Sequence, residues 1–353
     1  MKPQHLLAVA IAALAIAVPA ALAGTAAVSG YPSSMAATGD SITRAFDTCS
    51  IPYVDCVANS WSTGTNSAVN SQYLRILSSN AAISGHNYND AKTGARMSDL
   101  NGQAQSAVAQ GAQYVTILMG ANDVCTSTVA SMTPTPTVSA QLQTALTTLS
   151  TGLPDARIFV ASIPNVYHLW EILHTNFSAD IVWGVAGICQ SLLANPRSTS
   201  SADQTRRLQV QQQTINDNAA IAAVCAQFVH CRYDGGAAYN VNFTTSDVTT
   251  RDYFHPTVSG QAKAATATWN ATFNFQDSTP PQSSAVVTSG TGTDTVTLSA
   301  SDNVGVAGIE YRLGSATTWT RYAGPLAVAT GSSVTYRAVD VNGNSEASHT
   351  VTG

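Results

Sequence analysis

The sequence predicts an α/β domain built on a parallel sheet, followed by a small all-β domain. Two observations carry this. From residue 33 to about 275, apolar strand-like runs alternate with segments of helical periodicity, the pattern of strands joined by crossover helices. Beyond a Pro- and Ser-rich stretch the pattern changes to period-two alternation broken by Gly, Asn and Asp, as in an antiparallel β-sandwich.

The chain opens with a segment that is not expected to belong to the fold. Lys2 and His5 give a weakly basic start, Leu6 to Val18 is apolar, and Ala21-Leu22-Ala23 offers the small residues that a signal peptidase accepts. Residues 1–23 therefore fit a secretory signal better than a membrane anchor, because the apolar run is short and lacks a basic stop. No later stretch approaches the ~20 apolar residues that span a bilayer. The expectation is an exported, extracellular, soluble protein.

The α/β domain is placed at 24–275. "MAAT" is its first strand and ends at Gly39. "ARMSDL" and "AQSAVAQ" have helical spacing and lead into "YVTILMG", a buried strand run. "VSAQLQTALTTLSTGL" is helical, "ARIFVASIP" is a strand, and "TRRLQVQQQTINDNAAIAAVCAQ" is a long helix. "SGQAKAATATWNATF", entered by Pro256, is the last helix. In parallel sheets ligands sit at the carboxyl ends of the strands, so polar residues just after "MAAT" and "YVTILMG" are where chemistry is expected. Residues 276–284 have linker composition, and 285–353 hold the β-rich runs "DTVTLSASD", "AGIEYRLG" and "SVTYRAVD". "DNVGV" and "DVNGN" have a calcium-loop look, but their glycines sit wrongly for an EF-hand and turn chemistry explains them better.

Charged residues are only 10% of the chain and the net charge is −5. Nucleic acid is an unsuitable partner, since phosphate binding needs clustered Lys and Arg. Six cysteines in an exported chain favour disulfides over metal, and there is no C-x-x-C pair. Closeness in sequence favours Cys49–Cys56 and Cys225–Cys231, which leaves Cys125–Cys189.

Ser41 follows the first strand. A lone Gly-Asp-Ser more often makes a turn or a cap. At a strand-to-helix junction, however, a serine is exposed at the sheet's carboxyl edge, with its own N–H aimed where an oxyanion forms. It needs a base. His255 is the candidate, with Asp252 three residues earlier to fix its tautomer and Asp247 as a poorer fallback. His168, His174 and His230 lack such a carboxylate in the sequence and are expected to be structural or surface residues. Asn122, just past a buried strand, can donate its side-chain amide to an oxyanion, and Gly94 leaves a bare backbone N–H for close approach. Trp61 either shapes the mouth of the site or packs in the core, the commoner role. Together Ser41, His255, Asp252, Gly94 and Asn122 satisfy a nucleophile, base, orienter and oxyanion-donor set with no metal and no cofactor.

Gly39-Asp40-Ser41, Gly94, Gly120-Ala121-Asn122-Asp123 and Asp252-Tyr253-Phe254-His255 occur in the order of the four blocks of SGNH (GDSL-type) hydrolases. The chain resembles that family over roughly residues 33–272. The resemblance implies a flavodoxin-like α/β/α three-layer fold and metal-free ester hydrolysis. In it Ser41 is nucleophile, His255 base, Asp252 orienter, and Ser41 N–H, Gly94 N–H and Asn122 form the oxyanion hole. "SWSTGTNSAVNSQYLRIL", "GARMSDLNGQAQ", the "NDVC" ending and "FHPTVSGQAKAATATWN" look like the phospholipase-B-like branch, although Ile42-Thr43 replaces the commoner leucine after the serine. The tail is similar to bacterial Ig-like β-modules, which serve as spacers or adhesion modules. Trp319, Tyr311 and Tyr322 could line a sugar platform there, though cross-strand packing accounts for them without a ligand.

The leading expectation is a monomeric secreted serine esterase acting on lipid or other acyl esters, with polysaccharide or cell-surface contact through the tail. A carbohydrate O-acetyl esterase is the alternative within the enzyme class, and a non-catalytic surface-binding protein is the alternative outside it. No G-x-S-x-G elbow and no H-E-x-x-H motif occurs, which disfavours an α/β-hydrolase and a zinc hydrolase.

Overall fold

The computed structural model describes residues 30–353, and the signal segment expected at 1–23 lies outside the described residues. Five parallel strands form one sheet: β1 (Met35–Gly39), β2 (Asn87–Asn89), β3 (Tyr114–Leu118), β4 (Arg157–Val160) and β5 (Cys231–Tyr233). Their order is β2-β1-β3-β4-β5, the order shared by flavodoxin-like sheets, which reverses direction between β1 and β3.

The helices between them are α1 (Gln72–Leu77), α2 (Leu100–Ala109), α3 (Ala121–Val124) and α4 (Thr135–Gly152). After β4 come α5 (Val166–Leu173), α6 (Phe177–Ala186), α7 (Gln190–Leu193) and α8 (Ser201–Cys225), and α9 (Val258–Ala271) follows β5. Side-chain alternation along the strands splits the core in two. Ala36, Val115, Ile117, Ile158 and Val160 face Leu100, Ala104, Leu142, Leu146 and Ile221 of α2, α4 and α8. Met35, Tyr114, Leu118 and Phe159 face Tyr73, Ile76, Ala264 and Ala265 of α1 and α9. The sheet thus lies between two helical layers.

Helix α8 shows how the pattern works with few apolar residues. Ser200 caps it by accepting from the Asp203 N–H, satisfying one of the donors a helix start leaves open. Six of its eight buried positions, Arg207, Val210, Thr214, Asp217, Ile221 and Val224, recur at three- and four-residue spacing, one face of a helix, and Asn218 and Cys225 widen that face. A third cluster joins Val124, Val166, Leu173, Trp183, Leu192 and Val248. It consists mainly of α5, α6 and α7 packed beside the carboxyl ends of the strands.

All three expected disulfides are present: Cys49–Cys56, Cys125–Cys189 and Cys225–Cys231. The middle one closes a separation of 64 residues and ties the end of α3 to the start of α7.

The C-terminal part has seven strands in two antiparallel sheets. The first contains β6 (Gln282–Thr288), β7 (Thr293–Ser301) and β10 (Leu326–Ala329), in the order β10-β7-β6. The second contains β8 (Val306–Leu313), β9 (Thr320–Arg321), β11 (Ser333–Asp340) and β12 (His349–Thr352), in the order β12-β11-β8-β9. Val296, Leu298, Ile309, Val328, Val334 and Tyr336 from both sheets share one core. Strand β6 begins at Gln282, inside the stretch whose composition reads as linker. What remains of that linker is tied down, because Asn342 Nδ2 donates to Asp277 Oδ2 at 2.9 Å.

The two parts are joined by buried arginines. Arg157, at the first position of β4, is fully buried. It donates to Asn342 O at 2.7 Å, Gly30 O at 2.6 Å and Asn344 Oδ1 at 2.8 Å. Burial lowers its pKa to about 10, with the Asp340 charge opposing, so it stays a cation at neutral pH. Gly343 has φ +75°, and a Cβ there would come within 2.7 Å of Arg157 Cγ; only glycine suits both the backbone and the contact. Arg337 donates to Glu310 Oε1 at 2.6 Å and to Pro154 O at 2.9 Å, and it also bonds Asp155. Residues 154–157 lie at the amino end of β4, so the β domain docks on the sheet edge opposite the strand ends that carry Ser41 and Asn122.

Candidate active site

Strand β1 ends at Gly39, where φ is +145° and a Cβ would meet Leu118 O at 2.3 Å. That glycine lets β1 lie against β3 and turn at once. Gln103 of α2 clamps the turn, accepting from Gly39 N at 2.7 Å and donating to Gly39 O at 3.0 Å. The chain after Ser41 is a run of turns rather than the expected helix. Positive φ at Ala45 and Asp47 breaks any helical continuation.

Ser41 is buried to 6% exposure. Its Oγ lies 2.8 Å from His255 Nε2, and His255 Nδ1 lies 2.6 Å from Asp252 Oδ2. The other Asp252 oxygen accepts from the N–H groups of Phe254 and His255 at 2.8 and 3.0 Å. Burial alone would raise the Asp252 pKa, but the bond and charge of His255 and the two backbone donors outweigh it, and the net shift is downward. The carboxylate is therefore ionised and fixed in place. Phe46 and Phe254 pack on the imidazole, with ring centroids 4.8 and 5.2 Å away. Tyr253, at φ +54°, makes the tight turn between Asp252 and His255, and its carbonyl accepts from Trp183 Nε1 at 3.0 Å.

Asn122 sits in α3, directly past β3, and Gly120 before it has φ +124°. One amide hydrogen of Asn122 goes to Ala95 O at 2.9 Å, which holds the Gly94 loop beside it. The second remains for a ligand. Among the described residues, the N–H groups of Ser41 and Gly94 donate to no protein acceptor. The pocket over Ser41 and Asn122 is lined by Ile42, Leu118, Val166, Leu169, Phe243, Phe254 and His255. Its wall is chiefly apolar.

The other sequence candidates fall elsewhere. Asp247 binds Lys263, Thr244 and Ser259 and does not face an imidazole nitrogen. Trp61 is fully buried in the core and donates to Thr43 Oγ1 at 3.2 Å, so it does not shape the mouth. The expectation that His168 lacks a carboxylate partner is corrected. His168 Nδ1 is 3.0 Å from Glu171, one helical turn on, and its ring lines the pocket rim. His230 has a carboxylate neighbour but no hydrogen bond to it: its Nε2 is 3.6 Å from Glu310 of the β domain, 80 residues away, a proximity that no local spacing reveals. His174 hydrogen-bonds only to backbone carbonyls of its own helix, and its ring stacks on Trp170 with centroids 4.7 Å apart. Tyr311 and Tyr322 pack against the β-domain core, and Tyr322 Oη accepts from Leu298 N.

Sequence reasoning missed the pocket wall and a carboxyl group beneath the site. The wall's helix α5 was legible as "VYHLWEIL", apolar at helical spacing after the cap Asn165. Asp40 is fully buried, and one of its oxygens has no partner. Burial pushes its pKa up to about 7, against the Ile42 N–H and the nearby His255. Asp123 is likewise raised by burial, against the Met97 N–H among others. Far from the site, ligand atoms of Asp277, Asp302 and Asp340 come within 4.8 Å of one another. Asp302 and Asp340 cap their own turns through backbone N–H groups, as turn chemistry requires.

The profile of the GDSL-like Lipase/Acylhydrolase family matches residues 35–268. The chain belongs to this family. As a GDSL-like lipase/acylhydrolase it is an ester hydrolase, and the match spans every residue of the serine, amide and histidine constellation. Solved structures similar to it include the following two. One is described as a GDSL-like lipase from Parabacteroides merdae, 15% identical with a TM-score of 0.42 over 67% of this chain and 94% of that one. The other is an extracellular lipase from Streptomyces rimosus, 18% identical with a TM-score of 0.37 over 68% and 99%. No curated protein matches the chain.

Proposed function

We propose that this GDSL-family hydrolase is an exported serine esterase that cleaves esters of apolar acyl chains, lipids or phospholipids among them, through an acyl-enzyme at Ser41. The observation that carries the reading is His255, whose two ring nitrogens reach Ser41 Oγ and Asp252 Oδ2 at 2.8 and 2.6 Å.

Ser41 Oγ attacks the ester carbonyl while His255 Nε2 takes its proton. Asp252 holds the proton on Nδ1 and stabilises the imidazolium. The oxyanion accepts from Ser41 N–H, Gly94 N–H and the free Asn122 amide hydrogen. Collapse of the tetrahedral intermediate breaks the C–O bond, and His255 gives its proton to the departing alcohol. Water, deprotonated by the same nitrogen, then releases the acid and restores Ser41.

The acyl chain lies along Val166, Leu169, Phe243 and Phe254, whose apolar surface favours a chain of several methylenes over acetate at ~0.8 kcal/mol per buried CH₂. Export is supported by the six cysteines, all paired in three disulfides, a usage of oxidising compartments. The test is a panel of acetylated sugars, nitrophenyl esters of rising chain length, triglycerides and phospholipids, run on the wild type and Ser41→Ala. The reading predicts activity that rises beyond acetate and vanishes in the variant. Activity confined to acetylated sugars, or retained by Ser41→Ala, would overturn it.

A further inference from the structure

At the seam between the two domains lies a second cavity of about 220 Å³, well above the space one water needs. It is lined by Thr147 of α4, Gln227 and His230 after α8, and Glu310, Trp319 and Arg321 of the β domain. We propose that this cleft is a carbohydrate-binding site, holding one sugar ring of a polysaccharide at the domain seam.

The first observation is His230. Its side chain is 6% exposed, and neither ring nitrogen has a hydrogen-bond partner. Glu310 Oε1, at 3.6 Å, is too far to satisfy it and is already taken by Arg337 at 2.6 Å. A buried imidazole with two open nitrogens is costly unless something enters the cavity and bonds it.

The second is Trp319. Its indole is packed against Arg312 and Arg337, with guanidinium carbons 4.1 and 4.4 Å from the ring centroid, which fixes the plane of the ring. Arg312, Arg321 and Arg337 are the only Lys or Arg side chains after Gln276. All three gather on this one face.

The ligand class follows from the mixture. A pyranose has C–H groups, which can rest against the fixed indole edge that lines the cleft, and a girdle of hydroxyls that both donate and accept. Thr147, Gln227 and the imidazole can each meet a hydroxyl in either sense. A phosphate is disfavoured by the Glu310 carboxylate, and a hydrocarbon by the many polar groups. A metal is disfavoured because Arg337 already occupies the carboxylate oxygen nearest the imidazole.

The whole chain is tested by co-sedimentation with insoluble cellulose, chitin, xylan and cell-wall peptidoglycan, and by titration of tryptophan fluorescence with the corresponding soluble oligosaccharides. The first arm reads a polymer and the second a free sugar. Trp319→Ala and His230→Ala are expected to weaken binding at least about tenfold. Thr147→Trp, at an exposed helix position, fills the cleft from the other domain without removing a packed side chain and should do the same. Ser41→Ala should bind as the wild type does, and the cleft variants should hydrolyse a soluble ester at the wild-type rate, so this inference and the esterase reading fail separately. Binding of no saccharide in either arm, or equal binding by wild type and Thr147→Trp, would overturn the proposal.

Discussion

Arg157 and Asn342 lie 185 residues apart in sequence, yet Arg157 Nε donates to the Asn342 backbone carbonyl at 2.7 Å inside a buried seam. A cation without water around it is tolerated there because three carbonyl oxygens from two parts of the chain replace the lost hydration. The β domain is therefore fastened to the hydrolase domain rather than tethered to it.

Replacing Arg157 with leucine leaves those three acceptors unpaired. Arg157→Leu is expected to lower stability by roughly 2–4 kcal/mol, seen as a drop in thermal midpoint, with kcat/KM on a soluble ester unchanged. A chain ending at Gln276 should behave alike, less stable but active. Loss of activity in both at 25 °C would mean that the seam shapes the site.

The serine, histidine and aspartate should act as a unit. His255→Ala is expected to lose roughly 10⁶-fold in kcat, close to Ser41→Ala, and Asp252→Asn somewhat less, on the order of 10⁴-fold. Wild-type rates in Asp252→Asn would remove it as the orienter.

Asn122→Ala removes one oxyanion donor. A fall of about 10²–10³-fold in kcat is expected, with KM little changed. A rise in KM alone would show that Asn122 contacts the ground state instead.

Asp40 sets a pH dependence of stability. Its folded pKa, about 7, lies above the ordinary 3.8, so between those values the folded state holds the proton more tightly than the unfolded one. Its contribution is fully present below pH 4 and is lost as pH rises through 7. Asp40→Asn should match the wild type in urea denaturation at pH 4 and exceed it by about 2–4 kcal/mol at pH 8. A gap that does not change with pH would contradict this.

Cys125–Cys189 closes a separation of 64 residues, worth about 4 kcal/mol of unfolded-state entropy in a chain model. Cys125→Ser with Cys189→Ser should lower the midpoint and, because the bond anchors the end of α3, also reduce kcat. An unchanged midpoint would show that packing of α6 and α7 suffices.

The sheet and its chemistry were legible where local pattern and function coincide. "MAAT" and "YVTILMG" are buried runs, and Ser41 and Asn122 follow them directly. Strand β2 was not legible, because Asn87-Tyr88-Asn89 is too short to establish a period and has no β-branched residue; pairing with β1 and side-chain bonds from Asn87 and Asn89 to Thr63 and Thr43 hold it. The turns after Ser41 defeated the helix expectation because Ala45 and Asp47 adopt positive φ, which neither residue type announces. Asp40 looked like one letter of a motif, and its burial depends on Gln103 and β3 arriving from elsewhere. The Glu310 carboxylate beside His230 comes from a different domain, and spacing carries no such information.

The β domain sits at the amino ends of the strands while Ser41 opens at their carboxyl ends, a separation of ~16 Å along a five-residue strand. Whatever the seam grips is therefore held behind the hydrolase, out of reach of its own serine. A molecule anchored that way would work outward, on esters that drift past or belong to its neighbours, and would leave its mooring uncut.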